Sequence, residues 1–69
     1  DVNLQDEDGS TALMFASLKD HLEIVKLLLS YNADIKLQDD YGYTAFTLAQ
    51  KNNALKVVRY LKKKIDYHE

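Results

Sequence analysis

The sequence predicts an all-α domain built from stacked antiparallel helix pairs that are joined by β-hairpin-like turns. The main observation is a period of 33 residues, seen when residues 1–36 are compared with residues 34–69. The positions identical across this shift are Asp1/Asp34, Leu4/Leu37, Gln5/Gln38, Asp6/Asp39, Gly9/Gly42, Thr11/Thr44, Ala12/Ala45, Ala16/Ala49, Leu22/Leu55, Val25/Val58 and Leu28/Leu61. A fixed period of this size is typical of a solenoid, in which each unit buries its apolar side against a neighbour.

The second observation is the placement of turn residues at the same points of both repeats. Residues 6–9 have short polar side chains, and both they and residues 39–42 end in a glycine, which favours a tight turn with positive φ. Asp20 and Asn32 follow apolar segments, and Asn53 takes the place of Asp20 in the second repeat. Asp and Asn tolerate the left-handed conformation, so these residues predict the bends that end each helix.

The third observation is helical spacing of the apolar residues between those turns. Thr11 is a predicted cap, followed by a first helix whose buried stripe is Ala12, Leu13 and Ala16. The second helix is predicted from Leu22 to about Tyr31, because apolar residues recur there every three or four positions. The other predicted helices are Thr44–Lys51 and Leu55–Lys63.

Composition limits the size of the domain and the kinds of site that it can contain. The chain has 69 residues, room for one small domain, and no Cys, which excludes disulfides and thiolate metal sites. It contains no signal-like start and no run of about 18 apolar residues. Residues 1–34 have seven acids and two bases (−5), whereas residues 35–69 have seven bases and four acids (+3). This asymmetry can orient a partner, although it also serves solubility.

The combined pattern D-x-x-G-x-T-A-L…A…H-x-x-I-V-x-L-L-L…N-A-D-I resembles the ankyrin repeat. The resemblance divides the chain into the end of a preceding repeat (1–5), one repeat (6–38) and a second, cap-like repeat (39–69). Because the chain opens on Asp1 inside an arm, we expect a piece of a longer ankyrin-repeat protein.

Departures from the family pattern are also informative. The family's Pro is Ala12 and Ala45, and its His is Met14 and Thr47, so the hydrogen bonds of that His to the neighbouring turn are expected to be missing. In the second repeat Lys62 stands where the first has Leu29. A polar residue there predicts that this repeat caps the end of the repeat array. The competing explanation is that the repeat has been cut short.

No catalytic, cofactor or metal site emerges from the residues. His21 and His68 are 47 positions apart, and His21 matches a structural position of the family. A calcium loop centred on Gly9 would need carboxylates where Leu4 and Phe15 stand. We therefore predict a non-enzymatic protein without a cofactor.

The resemblance implies a protein-interaction module that binds through the turn tips and the exposed face of the first helix of each pair. Tyr41 and Tyr43 flank Gly42, where they could anchor a partner or instead pack within the turn. Leu18 lies off the buried stripe and is expected to be exposed. The full set of candidate binding residues is Glu7, Asp8, Ser10, Leu18, Lys19, Asp40, Tyr41, Tyr43, Lys51 and Asn52.

The acidic tips (Asp6, Glu7, Asp8, Asp39 and Asp40) predict a protein partner with a Lys- or Arg-bearing segment. We expect neither a small-molecule substrate nor, as the main partner, nucleic acid or membrane, and we expect an intracellular location, cytoplasmic or nuclear. Two alternatives remain. The chain could be a structural or regulatory segment, or it could bind an anionic surface through its basic last helix (Lys56, Arg59, Lys62, Lys63 and Lys64).

A last expectation concerns packing at the start of the stack. Met14 and Phe15 are expected to belong to the core between repeats rather than to a site. With no full repeat before residue 6, side chains around Met14, Phe15 and Leu27 are expected to lack cover, which favours self-association.

Overall fold

The computed structural model describes residues 1–67 and the side chains of residues 1–66. Four helices follow one another as two antiparallel pairs, with no strand in that part of the chain. The helices are α1 (Ala12–Leu18), α2 (Leu22–Ser30), α3 (Ala45–Lys51) and α4 (Leu55–Tyr67). The last two positions of the predicted second repeat, His68 and Glu69, lie outside the described residues.

A threonine caps the first helix of each pair, as predicted for Thr11. Thr11 Oγ1 accepts the N–H of Met14 at 3.2 Å, and Thr44 Oγ1 accepts the N–H of Thr47 at 3.2 Å. Met14 also returns a contact, because its sulfur accepts the Thr11 N–H at 3.4 Å. The thioether thus supplies a reciprocal cap of the capping-box kind within the first repeat. Thr44 itself is the cap, so α3 begins one residue later than predicted.

The predicted left-handed residues follow the ends of three helices, α1, α2 and α3. Asp20, Asn32 and Asn53 have φ of 58°, 69° and 54°. In each case the next residue donates back to the third-last residue of the helix, as His21 N–H does to Ala16 O at 3.0 Å. His21 then serves as the exposed N-cap of α2, without a side-chain capping bond.

The fourth helix is longer than predicted. It was expected to stop at Lys63 but runs to Tyr67. Ile65 occupies the place of Asn32, so the residue that would favour a left-handed bend is absent. Lys64 in the last turn is also favourable near the negative end of the helix dipole.

The core lies between the two pairs and is densest between α1 and α3. Its buried residues are Leu13, Met14, Ala16, Val25, Ala45, Ala49, Ala54, Val57 and Leu61. Small side chains at Ala16, Ala45 and Ala49 allow α1 to contact α3 far more extensively than α2 contacts α4. The α1–α3 side is therefore the more closely packed side of the stack, and each turn tip directly precedes one of these two helices.

Several predictions about burial were wrong. Ala12 is exposed although its counterpart Ala45 is buried, because position 12 points away from the second repeat. Phe15 and Leu27 are 47% and 55% exposed, so Phe15 is not a core residue and both lack cover as expected. Met14 does not lack cover, since it is 1% exposed.

Candidate protein-interaction surface

Each turn tip is held rigid by its own aspartate. Asp6 Oδ1 accepts the N–H groups of Asp8 and Ser10, both at 2.9 Å. Asp39 makes the same two bonds at 2.9 Å to the residues two and four positions after it. These two carboxylates, which were counted among the acidic tips, are therefore used to shape the loops.

The two tips are joined to each other. The Asp40 N–H donates to Asp8 O at 2.9 Å. Gly9 makes this approach possible, since a Cβ at Gly9 would lie 2.8 Å from Asp40 Oδ1 and 2.9 Å from Asp40 N. The tips thus form one continuous edge whose side chains keep fixed relative positions.

The remaining tip side chains face solvent. Glu7, Asp8 and Asp40 are exposed, and Tyr41 is 76% exposed. The only ion pair within residues 1–67 lies elsewhere, on α2, at 3.8 Å. The three carboxylates are therefore available to cations of a partner, beside an aromatic ring that is not packed against the core.

Tyr43 behaves differently from Tyr41. It is half-buried, and Lys51 at the end of α3 reaches back to it. Lys51 Nζ donates to Tyr43 Oη at 3.2 Å and lies 4.6 Å from the centre of the ring. Ser10 and Leu18 occupy the same positions in the first repeat, so this Tyr–Lys contact exists only in the second.

The bends after α1 and α3 hold the other candidate residues. Lys19 and Asn52 are exposed, but Leu18 is half-buried, so the prediction of an exposed Leu18 is wrong. Asn52 Nδ2 of the neighbouring repeat donates to the backbone carbonyl of Leu18 at 3.3 Å. Leu18 and Asn52 therefore also help to connect the repeats.

A second connection between the repeats was not predicted. Asp20 Oδ1 accepts the N–H of Val57 at 3.1 Å, across the interface. Val57 is the third residue of α4, so Asp20 performs the part of an N-cap for a helix in the other repeat. The sequence indicated only that Asp20 could adopt a left-handed backbone, since its partner is 37 positions away.

Sequence reasoning also missed Phe15 as a surface residue. It lies on α1 with 47% of its surface exposed. No local signal distinguishes it, because its counterpart Leu48 is also apolar yet half-buried.

Residues 1–67 contain no group of three or more His, Cys, Asp or Glu side chains placed to hold a metal ion. Nor is any helix in this part of the chain both long enough and apolar enough to cross a membrane.

Comparison with known proteins agrees with this architecture. A family model described as ankyrin repeats (3 copies) matches residues 1–69, and the chain belongs to the ankyrin-repeat family. That description names three copies, whereas residues 1–67 contain two helix pairs. No match was found among curated proteins.

Solved structures match as well. One is a chain in the structure titled "Bd0816 Predatory Endopeptidase from Bdellovibrio bacteriovorus in complex with immunity protein Bd3460". The similarity has a TM-score of 0.88 and 43% identity, and covers 91% of the present chain. The matched region is 33% of the other chain, so the present chain spans about a third of the length of the protein that it matches. Ankyrin repeats generally serve protein–protein interaction.

Proposed function

We propose that this chain is a non-enzymatic protein-interaction module whose joined turn tips bind a basic segment of another protein. The observation that carries the proposal is Tyr41, 76% exposed beside the carboxylates of Asp8 and Asp40 on one rigid edge. Large amphipathic rings are enriched among the residues that contribute most to binding at interfaces. As part of the same proposal, we place the module inside the cell, in the cytoplasm or nucleus.

Rigidity supports this role. The Asp8–Asp40 backbone bond and the loop bonds of Asp6 and Asp39 order the tips before any partner arrives. Little conformational entropy is then lost on the module's side, so the ordering cost falls mainly on the partner. The structure of similar fold comes from a complex of two proteins, which agrees with a protein partner in general terms.

The experiment uses two synthetic peptides of equal length, one alternating Arg with Leu and one with Gln in place of Arg. The Asp8→Lys/Asp40→Lys variant should bind the basic peptide about twofold to fivefold more weakly per charge pair, with a flatter salt dependence. Tyr41→Ala should weaken binding by about tenfold. Fluorescence anisotropy at several salt concentrations measures both effects.

A matched control is Glu23→Lys/Asp66→Lys, which makes the same change of charge at exposed positions away from the tips. This variant should keep the affinity of the natural sequence. If both double variants lose affinity equally, net charge rather than the tips explains the binding. If the basic and neutral peptides bind alike, the proposed partner chemistry is wrong.

A second candidate function is binding of an anionic surface through α4. Lys56, Arg59, Lys62 and Lys63 are exposed, and none forms an ion pair within residues 1–67. Duplex DNA or acidic vesicles would then shift the protein in a salt-dependent way, and Lys62→Ala/Lys63→Ala/Lys64→Ala would abolish the shift. The tip variants would leave this binding unchanged, which separates the two functions.

A further inference from the structure

Lysines from both repeats meet at one tyrosine ring on the α2–α4 side of the stack. Tyr60 of α4 is half-buried, and its ring packs against the core. Lys26 Nζ of α2 and Lys64 Nζ of α4 both lie 5.6 Å from the centre of this ring. These three residues are called the seam cluster below, because they lie where the two repeats join.

The seam cluster has hydrogen-bond donors that the fold does not use. Among the described side chains, Tyr60 Oη has no hydrogen-bond partner, and Lys64 has no ion pair. Lys26 Nζ has one partner, Glu23 Oε2, at 3.8 Å, and the side chain of Glu23 is 89% exposed. An exposed pair at this distance contributes little stability, so both ammonium groups and the phenol can bind an anion.

Further repeats would leave the seam cluster accessible. Lys26 is exposed with the second repeat beside it, and its counterpart Arg59 is exposed with the first repeat beside it. Lys64 is exposed, and its counterpart Tyr31 stays 66% exposed although the second repeat follows it. The accessibility of the cluster therefore depends only on the two repeats that form it.

The three donors match a phosphate monoester better than other anions. Each ammonium group offers N–H donors and no acceptor, and the phenol adds an O–H. A phosphate monoester carries a charge of about −1.5 to −2 at pH 7 and three acceptor oxygens. A carboxylate or a nucleic-acid phosphodiester has a single negative charge and two free oxygens, so it satisfies fewer of these donors.

The surroundings of the seam cluster favour a phosphorylated protein over a phospholipid surface. The exposed carboxylate of Glu23 beside Lys26 would face an anionic membrane and oppose its binding. A single phosphorylated side chain can contact the cluster without approaching this carboxylate. Arg59 and Lys63, which are exposed on the same helix as Tyr60, add positive charge that attracts it.

We propose that the seam cluster binds the phosphate group of a phosphorylated side chain on another protein. Lys26 and Lys64 pair with the phosphate oxygens, and Tyr60 Oη donates a hydrogen bond to it. The flexible four-carbon stems of the lysines let both ammonium groups turn from the ring to the phosphate. This site goes beyond the two functions proposed above, since it does not involve the turn tips and needs a lysine of the first repeat as well as α4.

The probes are short peptides of Gly and Ala with one central residue that varies. Two of them carry phosphoserine or phosphotyrosine, and the references carry serine, tyrosine or glutamate. At least one phosphopeptide should bind about fivefold more tightly than its unphosphorylated form, and more tightly than the glutamate peptide. Titration followed by NMR chemical shifts measures the affinity and should show the largest shifts at the seam cluster.

Three variants test the individual groups. Lys26→Gln/Lys64→Gln should abolish the preference for the phosphopeptide. Tyr60→Phe keeps the ring and removes only the O–H, so it should weaken binding by about twofold to tenfold. Glu23→Gln removes the competing carboxylate and should strengthen binding by about twofold.

The matched control is Lys19→Gln/Lys62→Gln, which removes the same charge from two exposed positions outside the seam cluster. Lys62 is two residues from both Tyr60 and Lys64, so it lies on a different side of α4. Lys19 follows α1 and belongs to neither helix of the seam. This variant should keep the preference for the phosphopeptide, and thermal unfolding of each variant shows that the fold is intact.

Four outcomes overturn the proposal. They are equal affinity for the phosphorylated and unphosphorylated peptides, equal loss in Lys26→Gln/Lys64→Gln and the control, and unchanged affinity in Tyr60→Phe. The fourth is binding to vesicles of phosphatidylcholine and phosphatidic acid without binding to either phosphopeptide, which would make a lipid surface the ligand. Tyr41→Ala should leave the phosphopeptide bound, so this test is independent of the turn tips.

Discussion

The two repeats have nearly the same local structure but very different surroundings. Each has a threonine cap, an aspartate that shapes the loop and a glycine with φ near 80°. Yet Ile24 is 47% exposed whereas its counterpart Val57 is fully buried, and Leu13 is buried whereas its counterpart Phe46 is half-buried. Equivalent residues therefore make unequal contributions to stability, since each repeat has its neighbour on a different side.

The largest difference is expected at the two loop glycines. Gly9 and Gly42 both have positive φ, at 79° and 84°, so alanine is strained at either position. At Gly9 the added Cβ would also meet the backbone of Asp40, whereas at Gly42 nothing lies within 4 Å. Gly9→Ala should lower the free energy of unfolding by about 2–4 kcal/mol and Gly42→Ala by about 1 kcal/mol, by urea denaturation. Equal losses would mean that the tips are not in contact in solution.

A smaller difference is expected for the paired apolar positions. Val57→Ala removes buried methyl groups and leaves a cavity, so it should cost about 2 kcal/mol. Ile24→Ala removes a larger group that is half in water, and should cost less than about 1 kcal/mol. Thermal unfolding of both variants checks the order, and a greater loss at Ile24 would show that this face is covered in solution.

The smallest difference concerns the left-handed residues Asp20 and Asn53. Glycine relieves the backbone at both, so Asn53→Gly should stabilise the fold by about 0.5 kcal/mol. Asp20→Gly removes the same backbone strain but also removes the acceptor of the Val57 N–H. The Asp20→Gly protein should therefore be about 1 kcal/mol less stable than the Asn53→Gly protein. Chemical denaturation of the two single variants measures the difference. If they are equally stable, the carboxylate does not cap α4.

Helix starts and bends could be predicted because their causes are local. Thr11, Asp20 and Asn32 were placed correctly, since a cap or a left-handed bend depends on the residue and a few neighbours in sequence. The end of α4 was missed because the helical periodicity indicated a core face, and that face ends before the helix does. Of the candidate surface, the exposed Tyr41 was predicted, whereas the half-buried Leu18 and the exposed Phe15 were not.

By itself the sequence determined the period, which a comparison of the two repeats shows directly. It also determined the helix pairs and the turns, because these depend on residues within one repeat. Only the tertiary structure decided which side of each helix is covered. It also decided that Asp20 caps a distant helix and that the two tips share a bond. Each of these follows from the packing of one repeat against the next. Equivalent positions are apolar in both repeats, so their sequence alone does not show which of the two is covered by the other repeat.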